Sequence, residues 1–86
     1  MVIRYVVKMK NGSYMVQIVD DDNSEIIHIT TVDLPIDADL LKSRSVAERC
    51  VEEIISGDTN LLVLYDDGNP PVSVTELEID YKMKTI

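Results

Sequence analysis

Residues 2–9 alternate between an apolar phase and a phase that carries the charged side chains, which is the pattern typical of a half-buried strand. One phase of this alternation is apolar and comprises Ile3, Tyr5, Val7 and Met9. Asn11-Gly12 follows and predicts a two-residue type I′ turn into a second strand. This turn would pair Val7 with Val16 and Tyr5 with Ile18, so we expect Val16 and Ile18 on the core face.

A third strand is predicted at residues 25–32, after an acidic turn. If Asp22-Asn23 forms a second two-residue turn, Ile27 and Ile29 join the core face opposite Ile18 and Val16. A shift of one residue would bury His28 and Thr30, whose polar groups would then need hydrogen-bond partners. The first register is therefore favoured.

The clearest helix follows the third strand. Ser45-Val46-Ala47-Glu48 has the spacing of a capping box, and Gly57 provides a left-handed stop. Residues 36–42 are predicted to form a helical turn before it, either separate from the helix or continuous with it. The apolar positions with helical spacing are Val46, Ala47, Cys50, Val51, Ile54 and Ile55.

Two more strands complete the domain. Residues 60–65 are almost entirely apolar, which predicts a strand covered on both faces or near the middle of the sheet. The last strand alternates from Leu77 to Met83, with a bend expected near Thr75. Antiparallel pairing with the first strand would place Arg4 opposite Asp80 and Lys8 opposite Glu76. Residues 1–86 are therefore predicted to form one α+β domain of order β-β-β-α-β-β. Its sheet would have five mainly antiparallel strands, with one main helix on one face.

Composition narrows the function classes. The 86 residues include 16 acidic and 8 basic side chains, for a net charge of -8, which argues against nucleic-acid binding. No apolar run is long enough to span a membrane, and charges interrupt the apolar N-terminal stretch where a secretory signal would be continuous. We therefore expect a cytoplasmic protein with no membrane partner.

Enzymatic function is not expected. His28 is predicted on the face of the sheet away from the core, whereas Cys50 lies on the apolar face of the helix, so a Cys-His nucleophilic pair has no reason to form. The three glycines occur at turns or at the helix end and form no phosphate-binding loop.

Acidic residues concentrate in the loops and at the strand ends. Divalent cations such as Ca²⁺ take oxygen ligands from carboxylates and carbonyls, so these loops have suitable chemistry, although their spacing is not that of an EF-hand. The same residue types are also ordinary turn formers. If the fourth strand runs parallel to the third, some of the carboxylates would meet at one end of the sheet. The sequence predicts weak Ca²⁺ binding, with the candidate ligands Asp20, Asp21, Asp22 and Glu25 at one end and Asp33, Asp37, Asp39, Asp66 and Asp67 at the other.

A second hypothesis concerns the face of the sheet that the helix leaves uncovered. In the favoured registers this face includes the apolar residues Val6, Met15, Val19, Ile26 and Val32. Such a patch suggests a surface for an unidentified protein partner or for self-association as a homodimer. Scattered exposed apolar residues are also common on monomers.

Three segments carry a resemblance that covers most of the chain: VIRYVVKMKNGSYMVQIVDDDNSE, SVAERCVEEIISG and NLLVLYDDGNPP. In size, acidity and order of elements, the chain resembles small acidic α+β proteins of archaea. The resemblance implies cation-binding acidic loops for some of these proteins. It assigns no catalytic or ligand residue to this chain.

Overall fold

A computed structural model describes residues 1–80 of the chain. A curled sheet of five strands carries one helix on one face. The strands are β1 (Val2–Met9), β2 (Tyr14–Val19), β3 (Ile26–Val32), β4 (Leu62–Leu64) and β5 (Pro71–Ile79), and the helix α1 spans Arg44–Ser56. The predicted α+β class and order of elements are confirmed.

The strands lie in the order β4-β3-β2-β1-β5. Strands β3 and β4, which α1 connects, are parallel, and the other neighbouring pairs are antiparallel, so the sheet is mixed. The prediction that the first and last strands are antiparallel neighbours is confirmed. The fourth strand was predicted to be covered on both faces or to lie near the middle of the sheet, and both alternatives are wrong. Strand β4 is a three-residue strand at the edge, and its Leu62 and Leu64 are exposed.

The turn between β1 and β2 differs from the predicted type I′ turn. The backbone N–H of Gly12 donates to the carbonyl of Met9 (3.0 Å), and the N–H of Met9 donates to the carbonyl of Ser13 (2.8 Å). Gly12 has a φ of 90°, whereas Asn11 does not have the positive φ that a type I′ turn requires. The connection is thus a three-residue loop with a glycine bulge, and it pairs Lys8 with Tyr14.

This one-residue change reverses the two faces of β2. Met15 lies in the core beneath the helix, while Ile18, predicted to be internal, is 50% exposed on the other face. Because side chains alternate along a strand, a register shift of one residue exchanges all inward and outward positions. The predicted core positions Val16 and Ile18 are therefore wrong.

The β2–β3 register also shifts by one residue. The N–H of Asp20 donates to the carbonyl of Ile26 (2.9 Å) across a loop of residues 21–25, so the predicted two-residue turn is absent. Ile18 pairs with His28, and Gln17 pairs with Ile29. The two register errors compensate on β3, because Ile29 packs against the core as predicted while His28 remains exposed on the other face.

A connecting segment separates most of β1 from β2. Tyr5 and Leu41 exchange backbone hydrogen bonds of 2.8 and 2.9 Å. The Asp39 N–H donates to the carbonyl of Met15 (3.2 Å), and the Asp39 carboxylate accepts the N–H of Gln17 (2.8 Å). The chain between β3 and α1 therefore supplies hydrogen bonds to both strands where they diverge. The predicted helical turn at residues 36–42 is replaced by a short 3₁₀ turn at Pro35–Asp37.

Helix α1 begins earlier than its predicted capping box. The hydroxyl of Ser43 accepts the N–H of Val46 (3.4 Å), and Glu48 pairs with Arg44 (2.8 Å) instead of reaching back to Ser45. The left-handed stop at Gly57, with φ 71°, is confirmed. Two of the six predicted apolar helix positions, Val46 and Ile55, are exposed.

The core lies between α1 and the sheet. Its buried residues are Val7, Met9, Met15 and Ile54, and the partly buried residues packed against them are Ile29, Leu41, Cys50, Val51, Val63 and Tyr65. These contacts identify the faces of β1, β2, β3 and β4 that meet the helix.

The β1–β5 register differs from the charge-based prediction. Arg4 lies opposite Leu77 instead of Asp80, and Lys8 lies opposite Ser73 instead of Glu76. The irregularity occurs between Lys8 and Met9, where the partner changes from Ser73 to Pro71, and not near Thr75. The predicted continuation of the last strand through Tyr81 and Met83 lies outside the described residues.

Candidate functional site

The acidic loop between β2 and β3 is organised around Asp20. Its carboxylate accepts the N–H groups of Asp22 (2.8 Å) and Asn23 (3.2 Å) and lies 2.9 Å from Nε2 of His28. These contacts lower the pKa of Asp20, and the hydrogen bond from His28 makes the largest contribution. The Asp20 carboxylate therefore stabilises the conformation of its own loop through these hydrogen bonds. The other candidate ligands of this loop, Asp21, Asp22 and Glu25, are exposed.

At the other acidic end, the strands are parallel as predicted, but the candidate carboxylates, all among the described residues, do not form one shared metal site. Strands β3 and β4 are parallel, so the segments that follow them leave the same end of the sheet. The Asp39 carboxylate accepts the N–H of Gln17 in β2 (2.8 Å). The Asp66 carboxylate accepts the N–H of its neighbour Gly68 (2.9 Å). The remaining candidates at this end, Asp33, Asp37 and Asp67, are exposed.

No metal centre is assembled from the described side chains. Within residues 1–80, no group of three or more His, Cys, Asp or Glu side chains is arranged to hold a metal ion. Weak Ca²⁺ binding remains a prediction, because open loops can bind an ion with additional water ligands. A Ca²⁺ titration followed by ¹H–¹⁵N spectra tests it, and the absence of shifts at the loop amides would refute it.

The single thiol belongs to Cys50 of α1, on the side of the helix that packs against the core. Cys50 accepts a hydrogen bond from Nε2 of Gln17 (2.9 Å), beside a small cavity of about 80 Å³. Burial raises the pKa of the Cys50 thiol, although the Gln17 contact opposes this effect. A raised pKa leaves little thiolate at neutral pH, so this position is poorly suited to a nucleophile.

The face of the sheet opposite α1 presents apolar side chains to solvent. Ile18, Leu62 and Leu64 are 50%, 55% and 43% exposed, respectively. Ile18 and Leu64 both pair with His28, and Leu62 pairs with Ile26, so these residues are contiguous across three strands. The name open-face patch is used below for Ile18, Ile26, His28, Leu62 and Leu64.

The membership of this surface differs from the sequence prediction. Ile26 was predicted correctly, whereas Met15 lies in the core and Val6 is fully buried. Val19 is exposed but pairs with Ile27, in the phase of the strand that faces the helix side. The register shifts thus remove Met15 and Val19 from the open face and add Ile18.

Leu62 and Leu64 were missed because their apolar run was interpreted as a strand covered on both faces or near the middle of the sheet. The sequence does contain one signal for an edge. Acidic residues flank the run, with Asp58 before it and Asp66 and Asp67 after it. Charged flanks are typical of apolar strands at a sheet edge, where they oppose aggregation.

Comparisons with protein families, curated proteins and solved structures found no match for this chain. In the part of the chain that the structure describes, no helix combines the length and apolar character needed to cross a membrane.

Proposed function

We propose that the protein is an interaction module that binds another protein through the open-face patch. The observation that carries this proposal is the continuous exposure of Ile18, Leu62 and Leu64 on the face away from α1. Contiguous exposed apolar surface favours association, because a partner removes it from water.

The patch also has a polar centre that could orient a partner. The His28 side chain is 47% exposed and is held by the Asp20 carboxylate at 2.9 Å. A partner that supplies hydrogen-bonding groups to the His28 ring and the Asp20 carboxylate would bind more tightly. A partner that buries these groups without hydrogen bonds would bind more weakly.

The apolar contribution can be bounded. Complete burial of a Leu or Ile side chain stabilises by about 1.5–3 kcal/mol, so covering three half-exposed side chains supplies about 2–4 kcal/mol. By itself this corresponds to an affinity of about 1 mM or weaker, before the cost of association. A specific partner must therefore add polar or backbone contacts beside the patch.

The test is selection from a phage-displayed library of random peptides. A double variant, Leu62→Ser with Leu64→Ser, removes the patch. Its matched control, Val46→Ser with Ile55→Ser, removes two similarly exposed apolar side chains from the helix. Circular dichroism and thermal unfolding confirm that both variants remain folded.

We expect peptides selected on the wild-type protein to retain affinity for the helix control and to lose at least about tenfold for the patch variant. Equal binding to the patch variant would refute the proposal. So would the failure of the library to yield any peptide that binds the wild-type protein.

A further inference from the structure

We infer that the partner adds an extended, basic-flanked segment to β4 as a sixth strand of the sheet. This inference rests on the proposed function, since it specifies the partner of the open-face patch. Two independent features beside the patch carry it, namely an available strand edge and acidic residues at both ends of that edge.

The first feature is the edge of β4. Among residues 1–80, β4 has only β3 as a strand neighbour. The N–H of Leu62 points toward β3, because it donates to the carbonyl of Glu25 (2.8 Å). Backbone groups of successive strand residues point to opposite sides, so the N–H and carbonyl of Val63 point to the outer edge. Such an edge is a template for an added strand.

Side-chain alternation links this edge to the patch. Leu62 and Leu64 lie on the open face, while Val63 packs toward the core. An added strand would place every second side chain on the open face, next to the two leucines. Backbone hydrogen bonds and the apolar contacts would therefore form together, which provides the additional contacts that the patch alone lacks.

The second feature is charge. Glu25 lies beside the start of β4, where its carbonyl accepts the N–H of Leu62, and Asp58 precedes this strand by four residues. Asp66 and Asp67 follow the end of β4. All four residues are exposed, and none forms a salt bridge with another described residue. A segment with an apolar centre of about five residues, about 17 Å long, would extend past both ends of the three-residue strand β4. Basic residues on both sides of this centre would then lie near acidic residues.

The same charge opposes self-association as the main use of the edge. Each chain carries a net charge of -8, and pairing β4 with a second copy would bring two acidic ends together. A basic segment is attracted to these ends, so the electrostatics favour a different partner.

The test uses a nine-residue synthetic peptide with alternating Val and Thr at its five central positions and two Lys at each end. A control peptide carries Glu in place of every Lys. Two further Lys peptides are N-methylated, one at odd and one at even central amides, which removes hydrogen-bond donors from one side of the strand or the other. Binding is followed by ¹H–¹⁵N spectra of the protein.

We expect saturable shifts at residues 61–65, and binding of the Lys peptide at least about tenfold tighter than that of the Glu peptide. This preference should fall as salt is added. One of the two N-methylated peptides should lose at least about tenfold in affinity, while the other should bind almost as well as the unmethylated Lys peptide. The reason is that only one side of an added strand faces β4.

Equal affinity for the Lys and Glu peptides would overturn the inference. Equal affinity for the two N-methylated peptides would also overturn it. Sedimentation of the peptide-free protein tests the other occupant. A dimer that the Leu62→Ser, Leu64→Ser variant abolishes would identify a second copy instead. If library peptides bind through the patch but lack basic flanks and tolerate both methylations, the inference fails while the proposed function stands.

Discussion

Met15→Ala and Ile18→Ala test which face of β2 lies in the core. Met15 is 1% exposed and packs with Val7, Met9 and Ile54, so truncating it leaves a cavity enclosed by these neighbours. Comparable Met→Ala truncations in protein cores cost about 2–5 kcal/mol of unfolding free energy. Ile18 is 50% exposed on the opposite face, and its truncation opens to solvent.

The expected cost at Ile18 is smaller. Full burial of an isoleucine side chain contributes about 1.5–3 kcal/mol, so losing the buried half costs about 1 kcal/mol without an enclosed cavity. Both variants place Ala in the same strand, and the change in strand propensity therefore affects the two measurements in the same direction. We expect Met15→Ala to destabilise the protein by at least about 1 kcal/mol more than Ile18→Ala does.

Urea unfolding followed by circular dichroism measures this difference. With a denaturant slope of about 1 kcal/mol/M for a small domain, the two midpoints should differ by about 1 M or more. Met15→Leu serves as a control, because this nearly volume-conserving change should cost less than about 1.5 kcal/mol. A larger loss in Ile18→Ala than in Met15→Ala would refute the register described here and restore the two-residue turn predicted from Asn11-Gly12.

Three further predictions concern individual contacts. Gly57→Ala should cost about 1 kcal/mol in urea unfolding, because the helix stop has φ 71°, and Gly57→Asn should cost less; equal losses would contradict a left-handed cap. Asn69→Ala removes the side-chain acceptor of the Asn11 N–H (2.8 Å) and should lower the free energy of unfolding by about 1 kcal/mol. Its control, Asn60→Ala at an exposed position, should change the free energy of unfolding by less than about 0.5 kcal/mol. Equal effects of the two variants would contradict the Asn69–Asn11 contact. Carboxyl ¹³C titration should give Asp20 a pKa below 3.8, and His28→Ala should raise it, whereas an unchanged value would contradict the role of His28.

The lowered pKa of Asp20 also fixes the sign of a pH effect. The stabilising contribution of a carboxylate with a lowered folded-state pKa is present above the unfolded value of 3.8 and is lost as pH falls through the folded value. Wild type should therefore exceed Asp20→Asn in stability near neutral pH, and this difference should shrink in acid. A difference that grows in acid would refute the assignment.

The acidic loops show how much of a carboxylate's position and orientation can be predicted from the sequence. The sequence located the candidate metal-binding carboxylates in loops or near strand ends, but not the direction in which each carboxylate points. Asp20 accepts the N–H groups of its own loop, and Asp39 accepts the N–H of Gln17. Backbone donors with no other partner compete for these oxygens, and such donors become visible only once the chain path is known.

The open-face patch required still more of the tertiary structure. Periodicity predicted that one sheet face would carry apolar residues, yet Ile18 and Met15 were assigned to the wrong faces because one glycine bulge shifts the register. The apolar run containing Leu62 and Leu64 fits a central strand as well as an edge strand. Its acidic flanks favour an edge, but only the spatial order of the strands establishes that position.

The sequence by itself determined the number and order of the main elements and the helix stop at Gly57, because periodicity and glycine chemistry act over short stretches of chain. The charge pattern also predicted that the first and last strands are neighbours, but not their register. Only the tertiary structure decided the registers, the separation of β1 from β2 by residues 39–41 and the edge position of β4. These features depend on contacts between distant segments, whose energies are set by how the whole sheet packs against α1.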